Sequence, residues 1–377
     1  MKFEISTQDL NAIVNKIQNV VPLKPTVPIF NYFLLEAKNK ELTLTASDSM
    51  IGIRCQVEAN VSMEGSTVLP AKKLAQLLRE LTTSAVEFSS LPHDITTVVA
   101  GSSRFKLKGI KKNDYPELPS IITADTITIE QTILKDLFHR TSFAVSRDDT
   151  RYVLTGLCLE LQEGKIQCIG SDGKRLAQMH YRIPHPLSCN RQCVIPLKAV
   201  DEIMKNLGEN GDVTLTFMQD KIALTMNQTF LVTKLLEGEF PDIQRVIPER
   251  CNHAISLHRE EIISLLRQVM LFTSDSHHSV RFLFTNGELM LTANTADFGE
   301  GHVSMPVNYQ GEKLEIAFNP EFFIGILRHC KKETVTLGLI DAYNPGTITD
   351  GELEVPLSEA APLFIIMPMR LSPDEKF

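Results

Sequence analysis

No apolar run in this 377-residue chain reaches the ~18 residues a membrane-spanning helix needs. The opening MKFEISTQDL also lacks the cationic and apolar regions of a secretory signal. Cysteine is sparse: the seven are odd in number, scattered and without CxxC spacing, which argues against a disulfide framework. The expectation is a cytoplasmic protein with reduced thiols. Catalytic signatures are missing too, with no GxSxG or HExxH motif and no paired catalytic carboxylates. The run Gly170 to Arg175, GSDGKR, lacks the GxxxxGK[ST] spacing that wraps phosphates in backbone amides. His180, His185, Cys189 and Cys193 sit in a proline-containing connection without metal-ligand spacing. His277 and His278, near Asp275, would point to opposite faces of a strand. No catalytic residue, metal or cofactor is expected.

What the chain does contain is one pattern written three times. Each copy opens with an alternating strand running into an amphipathic helix: KFEIS-TQDLNAIVNKIQNVV, TITIE-QTILKDLFHRTSFAV and HAISL-HREEIISLLRQVMLF. A hairpin follows, at ELTLTASD, KIQCIGSD and ELMLTANT, then a strand feeding a second helix, at STVLPAKKLAQLLREL, QCVIPLKAVDEIMKNL and KLEIAFNPEFFIGILRHC. Asp48 and Asp172 are 124 residues apart, Asp172 and Asn294 are 122, and Pro70 and Pro196 are 126. A period this long marks a repeated domain rather than a solenoid unit of ~20–50 residues. The expected division is 1–122, 123–248 and 249–377. Two copies also share an ending, with an aromatic-Pro pair at Tyr115-Pro116 and Phe240-Pro241.

Helices are expected over 7–20, 71–81, 131–143, 198–207, 259–271 and 320–332. Each has one apolar stripe, such as Leu10, Ile13, Val14 and Ile17, and the strands have one apolar face, such as Leu42, Leu44 and Ala46. Two helices on one side of antiparallel sheets, repeated three times, is the expected α+β fold. These helices are net +5 in a chain of net charge −8, as if they jointly faced a polyanion while the acidic remainder faced solvent. If repeats joined edge to edge with their helices inside, twelve helices packed ~8–10 Å apart would leave about 26 Å clear, whereas six would leave only about 8 Å. A B-form duplex is about 20 Å wide by its groove depths. Enclosing one therefore requires two chains closed head to tail.

The segments Arg151 to Ala177, RYVLTGLCLELQEGKIQCIGSDGKRLA, Glu237 to Pro248, EGEFPDIQRVIP, and Met367 to Leu371, MPMRL, closely resemble the bacterial sliding clamp family, the beta subunit of DNA polymerase III. The match extends over essentially the whole chain, with Lys24-Pro25-Thr26-Val27-Pro28 in the place of the family's basic loop. The resemblance implies a homodimeric ring of six similar domains that encircles duplex DNA independently of sequence, is opened by an ATP-using clamp loader, and is itself non-catalytic. It also implies a hydrophobic groove accepting short peptides from the replicative polymerase alpha subunit, other polymerases and repair factors.

Carried over by motif, the groove comprises Leu154, Ser171, Gly173, Lys174, Arg175, Leu176, Pro241, Arg245, Val246, Asn319, Phe322, Met367, Pro368, Met369 and Arg370. His277 stands where the family often carries an aromatic or apolar residue, and Phe322 where tyrosine is common. Arg175 and Arg245 would hold peptide carbonyls or carboxylates at the rim. The implied duplex contacts are Lys24 and the loop Ser146-Arg147-Asp148-Asp149, with Tyr152 nearby; Lys198 and Lys205 are further candidates on charge alone. The implied protomer contact joins Phe105 and Leu107 to Leu271 and Phe272. Two departures from the family pattern are the long stretch Asp341 to Leu363 and the tail Ser372 to Phe377.

Overall fold

A computed structural model describes residues 1–91, 94–119, 125–148, 150–162, 164–183, 190–274, 278–295, 299–352 and 357–370. Among them are six α-helices: α1 Thr7–Ile17, α2 Ala71–Glu80, α3 Gln131–Ser142, α4 Leu197–Asn206, α5 Arg259–Val269 and α6 Pro320–Leu327. All six expected helices are present, most ending early. After α6, the His329 and Cys330 amides donate to the Ile326 and Leu327 carbonyls, so the last turn tightens and the helix stops. Start signals are local. Ser6 Oγ accepts from Asp9 N at 3.3 Å to cap α1, while Asn319 Oδ1 accepts from Glu321 N at 2.9 Å and Phe322 N at 3.3 Å to cap α6.

The chain folds as two compact units, Met1–Lys135 with Lys198–Leu235, and Asp136–Leu197 with Leu236–Phe377. Each combines one outer repeat with part of the middle one. The first unit holds a five-stranded sheet in the order 60–63, 2–6, 85–91, 95–100, 103–108. Its eight-stranded sheet runs 125–130, 212–217, 221–226, 229–234, 51–58, 41–47, 32–38, 65–70. This second sheet crosses from the middle repeat to the first where Thr229–Lys234 pairs antiparallel with Ile51–Glu58, Leu231 opposite Ile53. The stripe Leu10, Val14 and Ile17 of α1 is fully buried, as are Leu74 and Leu78 of α2.

The second unit repeats the plan. Its eight-stranded sheet runs 191–196, 156–162, 165–171, 175–182, 363–366, 346–349, 334–339, 253–258, and its four-stranded sheet 299–306, 288–295, 280–285, 314–318. Here the crossing is Arg175–Arg182 against Leu363–Ile366, with Ala177 opposite Phe364. The core centres on Phe282, Phe318 and Phe323, whose ring centroids lie 5.1–5.7 Å apart in tilted and edge-on arrangements. A buried ion pair ties α3 to the third repeat: Arg140 Nη1 donates to Asp350 Oδ2 at 2.9 Å, and the two side chains are 5% and 6% exposed. The Lys331 and Lys332 amides also donate to Asp350. No helix among the described residues is long and apolar enough to cross a membrane.

Candidate functional site: an apolar cleft in the second unit

The turn at the middle repeat's hairpin is built by its own side chains. Asp172 Oδ1 accepts from the Lys174 and Arg175 amides, both at 2.9 Å, as Asp48 Oδ1 does from Met50 and Ile51 in the first repeat at 2.6 Å. Ser171 Oγ donates to the Arg175 carbonyl at 2.9 Å and accepts from Gly173 N at 3.1 Å. Gly173 has φ 79°, and a Cβ there would lie 2.6 Å from the Arg151 guanidinium, so both backbone and space require glycine.

Beside this turn opens a cleft of about 640 Å³ lined by Arg151, Leu154, Ser171, Gly173, Arg175, Leu176, Phe240, Pro241, Asp242, Ile243, Val246, Ile365 and Met367. Leu154 comes from a 3₁₀ turn, Tyr152–Thr155; Leu176 and Ile365 are paired across the strand crossing; Phe240 and Ile243 come from the segment that ends the middle repeat. Its floor is therefore aliphatic and aromatic and its rim charged, a form suited to an apolar side chain on an extended ligand. Beneath it lies Cys158, whose thiol burial pushes well above its ordinary value, with Glu160 adding to the effect, so the sulfur stays protonated.

Eight of the expected groove residues meet here: Leu154, Ser171, Gly173, Arg175, Leu176, Pro241, Val246 and Met367. Arg175 lines the cleft with its guanidinium already engaged within the chain. It donates to Asp172 Oδ2 at 3.0 Å and the Phe143 carbonyl at 2.9 Å, and lies 4.7 Å from the Phe322 ring and 5.3 Å from Phe143. Arg245 falls outside the lining but beside it, 85% accessible and 3.2 Å from the lining residue Asp242. Asn319 caps α6, and Met369 is held with its amide on the Ala317 carbonyl at 2.7 Å, so neither lines the cleft. Lys174, Phe322, Pro368 and Arg370 also fall outside the lining, although the Lys174 carbonyl accepts from Met367 N at 2.9 Å. His277, Asp149, Leu371 and the tail 372–377 lie outside the described residues.

Sequence reasoning missed Arg151, Phe240, Asp242, Ile243 and Ile365. The signal for Phe240, Asp242 and Ile243 was present, since they lie within the shared aromatic-Pro ending.

Of the duplex candidates, Lys24 lies exposed in a proline-flanked loop of the first unit, while Arg147 and Tyr152 are exposed in the second. Lys198 and Lys205 are partnered, to Asp48 Oδ2 at 2.5 Å and Glu202 Oε1 at 2.6 Å, which reduces the field each offers an anion. Phe105 and Leu107 are half-buried on the edge strand Ser103–Lys108; Leu271 is 73% exposed, and Phe272 packs over Gly301 of the edge strand Gly299–Pro306.

Three family models match in series: the N-terminal domain of the DNA polymerase III beta subunit over residues 1–119, the central domain over 128–242 and the C-terminal domain over 244–361. The Beta sliding clamp of Chlamydia muridarum is 47% identical over 99% of this chain and 100% of its own, and that of Proteus mirabilis 29% over 98% and 100%. The crystal structure of a DNA polymerase sliding clamp from Pseudomonas aeruginosa with ligand superposes with a TM-score of 0.93 at 27% identity, covering 98% of this chain and 100% of the other. A structure from the same organism, matching at the same 0.93 and 27% over the same shares, carries griselimycin. Full-length identity, three domain models in order and a shared fold make this chain a member of the DNA polymerase III beta subunit family, the beta sliding clamps.

Proposed function

We propose that two copies of this chain close head to tail into a non-catalytic ring of six domains around duplex DNA, and that the cleft tethers replication and repair proteins to the ring. The domains are 1–122, 123–248 and 249–377. A clamp loader opens the ring, and the replicative polymerase alpha subunit is the principal tethered partner. This reading rests on family membership together with one structural observation, the rule by which strands cross between repeats.

Within the chain, the last strand of a later repeat twice pairs antiparallel with the hairpin strand of the repeat before it, Leu231 with Ile53 and Phe364 with Ala177; by their neighbouring ladders Leu231 and Phe364 are equivalent to Phe105, and Ile53 and Ala177 to Gly301. Two equivalent strands remain as sheet edges, Ser103–Lys108 and Gly299–Pro306. An exposed edge is a template for another strand. Applied to them, the same rule sets Phe105 of one protomer opposite Gly301 of its partner, where Phe272 lies, and sets Lys106 opposite Glu300. The opposite charges favour that register. Because the two edges belong to different repeats, the contact is heterologous, and two such contacts close a ring.

The cleft's apolar floor and exposed Arg245 suit a short peptide with a buried apolar side chain and a carboxylate at the rim. Lys24, Arg147 and Tyr152 are the proposed duplex contacts. Sedimentation at micromolar concentration should give twice the 42.3 kDa of one chain. A stable monomer would overturn the ring. A clamp that slides makes few phosphate contacts, so binding should weaken less steeply with salt than for a protein making ~6–10 of them.

A further inference from the structure

The seam on the helix side, where two repeats share a sheet, is built twice, and the two copies differ in what fills it. Lys16 and Arg140 are the tenth residues of α1 and α3, Ala12 and Asp136 the sixth, and Asn206 and His329 the tenth from the starts of α4 and α6. Met226 and Asp350 correspond by register, each following a threonine that pairs with the third residue of the neighbouring strand: Thr225 opposite Thr214, and Thr349 opposite Thr336. In the second unit these positions close on one another. Arg140 donates to Asp136 at 3.2 Å and to Asp350 at 2.9 Å, and the His329 ring stacks on Phe143 with centroids 3.9 Å apart.

In the first unit they do not. Ala12 and Met226 stand where the second unit has Asp136 and Asp350, and Lys16 is exposed. What remains is a pocket of about 740 Å³ lined by one face of α1, with Asp9, Ala12, Ile13 and Lys16, together with Asn206, Met226 and residues of the shared sheet. Two buried acceptors on α4 are left over. Asn206 is 9% exposed; its Nδ2 donates to the Glu202 carbonyl at 2.9 Å, and its Oδ1 meets no donor among the described residues. One turn earlier on the same helix face, Glu202 is 3% exposed; Lys205 holds its Oε1 at 2.6 Å, and its Oε2 meets no donor among them either. Buried acceptors left unpaired cost free energy, so two of them on successive turns mark a place for a group that donates.

We propose that this pocket binds the guanidinium or primary ammonium group of an organic cation. The second unit supplies the template, since there a guanidinium of the chain itself, that of Arg140, occupies the seam. Both orphan groups are acceptors, one of them is a carboxylate, and Asp9 adds another carboxylate at the pocket wall. A charged N–H donor therefore gains more here than water does. Ile13 and Met226, both buried, offer an apolar wall to the carbon chain that carries the charge. The lining belongs wholly to the first unit and shares no residue with the cleft.

The test titrates methylguanidinium into the full-length protein, followed by ligand-observed NMR, with tetramethylammonium as a cation of the same charge that has no N–H group. Methylguanidinium should bind at least fivefold more tightly than tetramethylammonium. Asn206→Leu should weaken its binding at least fivefold, and Met367→Ala, in the cleft, should leave it unchanged. Ala12→Arg, at an exposed helix position, is the second variant should Asn206→Leu fold poorly; its own guanidinium fills the pocket and should weaken binding at least fivefold. The tripeptide glycyl-arginyl-glycine separates the two sources of such a group. Binding as tight as that of methylguanidinium assigns the pocket to an arginine side chain of a partner, and exclusion of the tripeptide assigns it to a free organic cation. Equal affinity for the two small cations, or binding indifferent to both variants, overturns the proposal, because the orphan acceptors then hold only water.

Discussion

Reversing the charge of Lys106 gives the sharpest check on the inferred protomer contact. In the register taken from the internal strand crossings, Lys106 of one protomer lies opposite Glu300 of its partner. Opposite charges directly across a strand pair contribute roughly 0.2–1 kcal/mol, and like charges destabilise by a similar amount. Lys106→Glu should therefore cost roughly 0.4–2 kcal/mol per contact, and the ring has two contacts. The dimer should weaken by about 1–4 kcal/mol, or roughly 5- to 1000-fold in dissociation constant. Sedimentation equilibrium measures this directly. Glu300→Lys alone should act the same way, and the double reversal should restore most of the lost affinity. If each single reversal weakens the dimer but the double reversal is weaker still, the register is wrong; if neither single reversal matters, these strands do not meet.

Other outcomes follow from the cleft and the packing. Met367→Ala should weaken binding of a short apolar peptide by roughly 1–2 kcal/mol through lost apolar contact, measured by fluorescence anisotropy, whereas Met369→Ala should have the smaller effect, its residue being anchored on Ala317. Asp350→Asn leaves Arg140, 5% exposed, with Asp136 at 3.2 Å as its remaining carboxylate, and should cost less than the about 3–5 kcal/mol of a fully uncompensated buried charge in urea unfolding. Burial acts to raise the Asp350 carboxyl, but the Lys331 and Lys332 amides and Arg140 hold it below the ordinary carboxylate value. A carboxyl depressed in the folded state stabilises above its unfolded pKa and loses that effect as pH falls through the folded one, so the gap between the native protein and Asp350→Asn should narrow on acidification below about pH 4. Lys24→Ala should lower duplex affinity and make its salt dependence shallower by about one phosphate contact.

The helices were legible because their signals are local: a stripe such as Leu10, Ile13, Val14 and Ile17, with Ser6 in front of it. The threefold repeat was legible as spacing. How the repeats share sheets was not, because the pairing of Leu231 with Ile53 joins residues 178 positions apart and alternation alone does not choose a strand's neighbour. At the cleft, motif matching reached the hairpin turn and Met367, whose backbone geometry is tied to particular residues such as Gly173. It placed Arg175 in the cleft but not among its neighbours, since nothing in sequence reveals that Phe143, Phe322 and Asp172 surround one guanidinium. It passed over Phe240 because a buried aromatic in a shared ending reads as packing. Charge counting could not show that Lys198 and Lys205 sit beside carboxylates, those of Asp48 and Glu202.

The central claim is topological: the chain holds DNA by enclosing it. Loading the protein onto closed circular duplex with a clamp loader, then cutting the circle once, tests that claim most directly. Retention on the intact circle and prompt release after the cut is the predicted result, and loss at the same rate from intact and cut circles would contradict it.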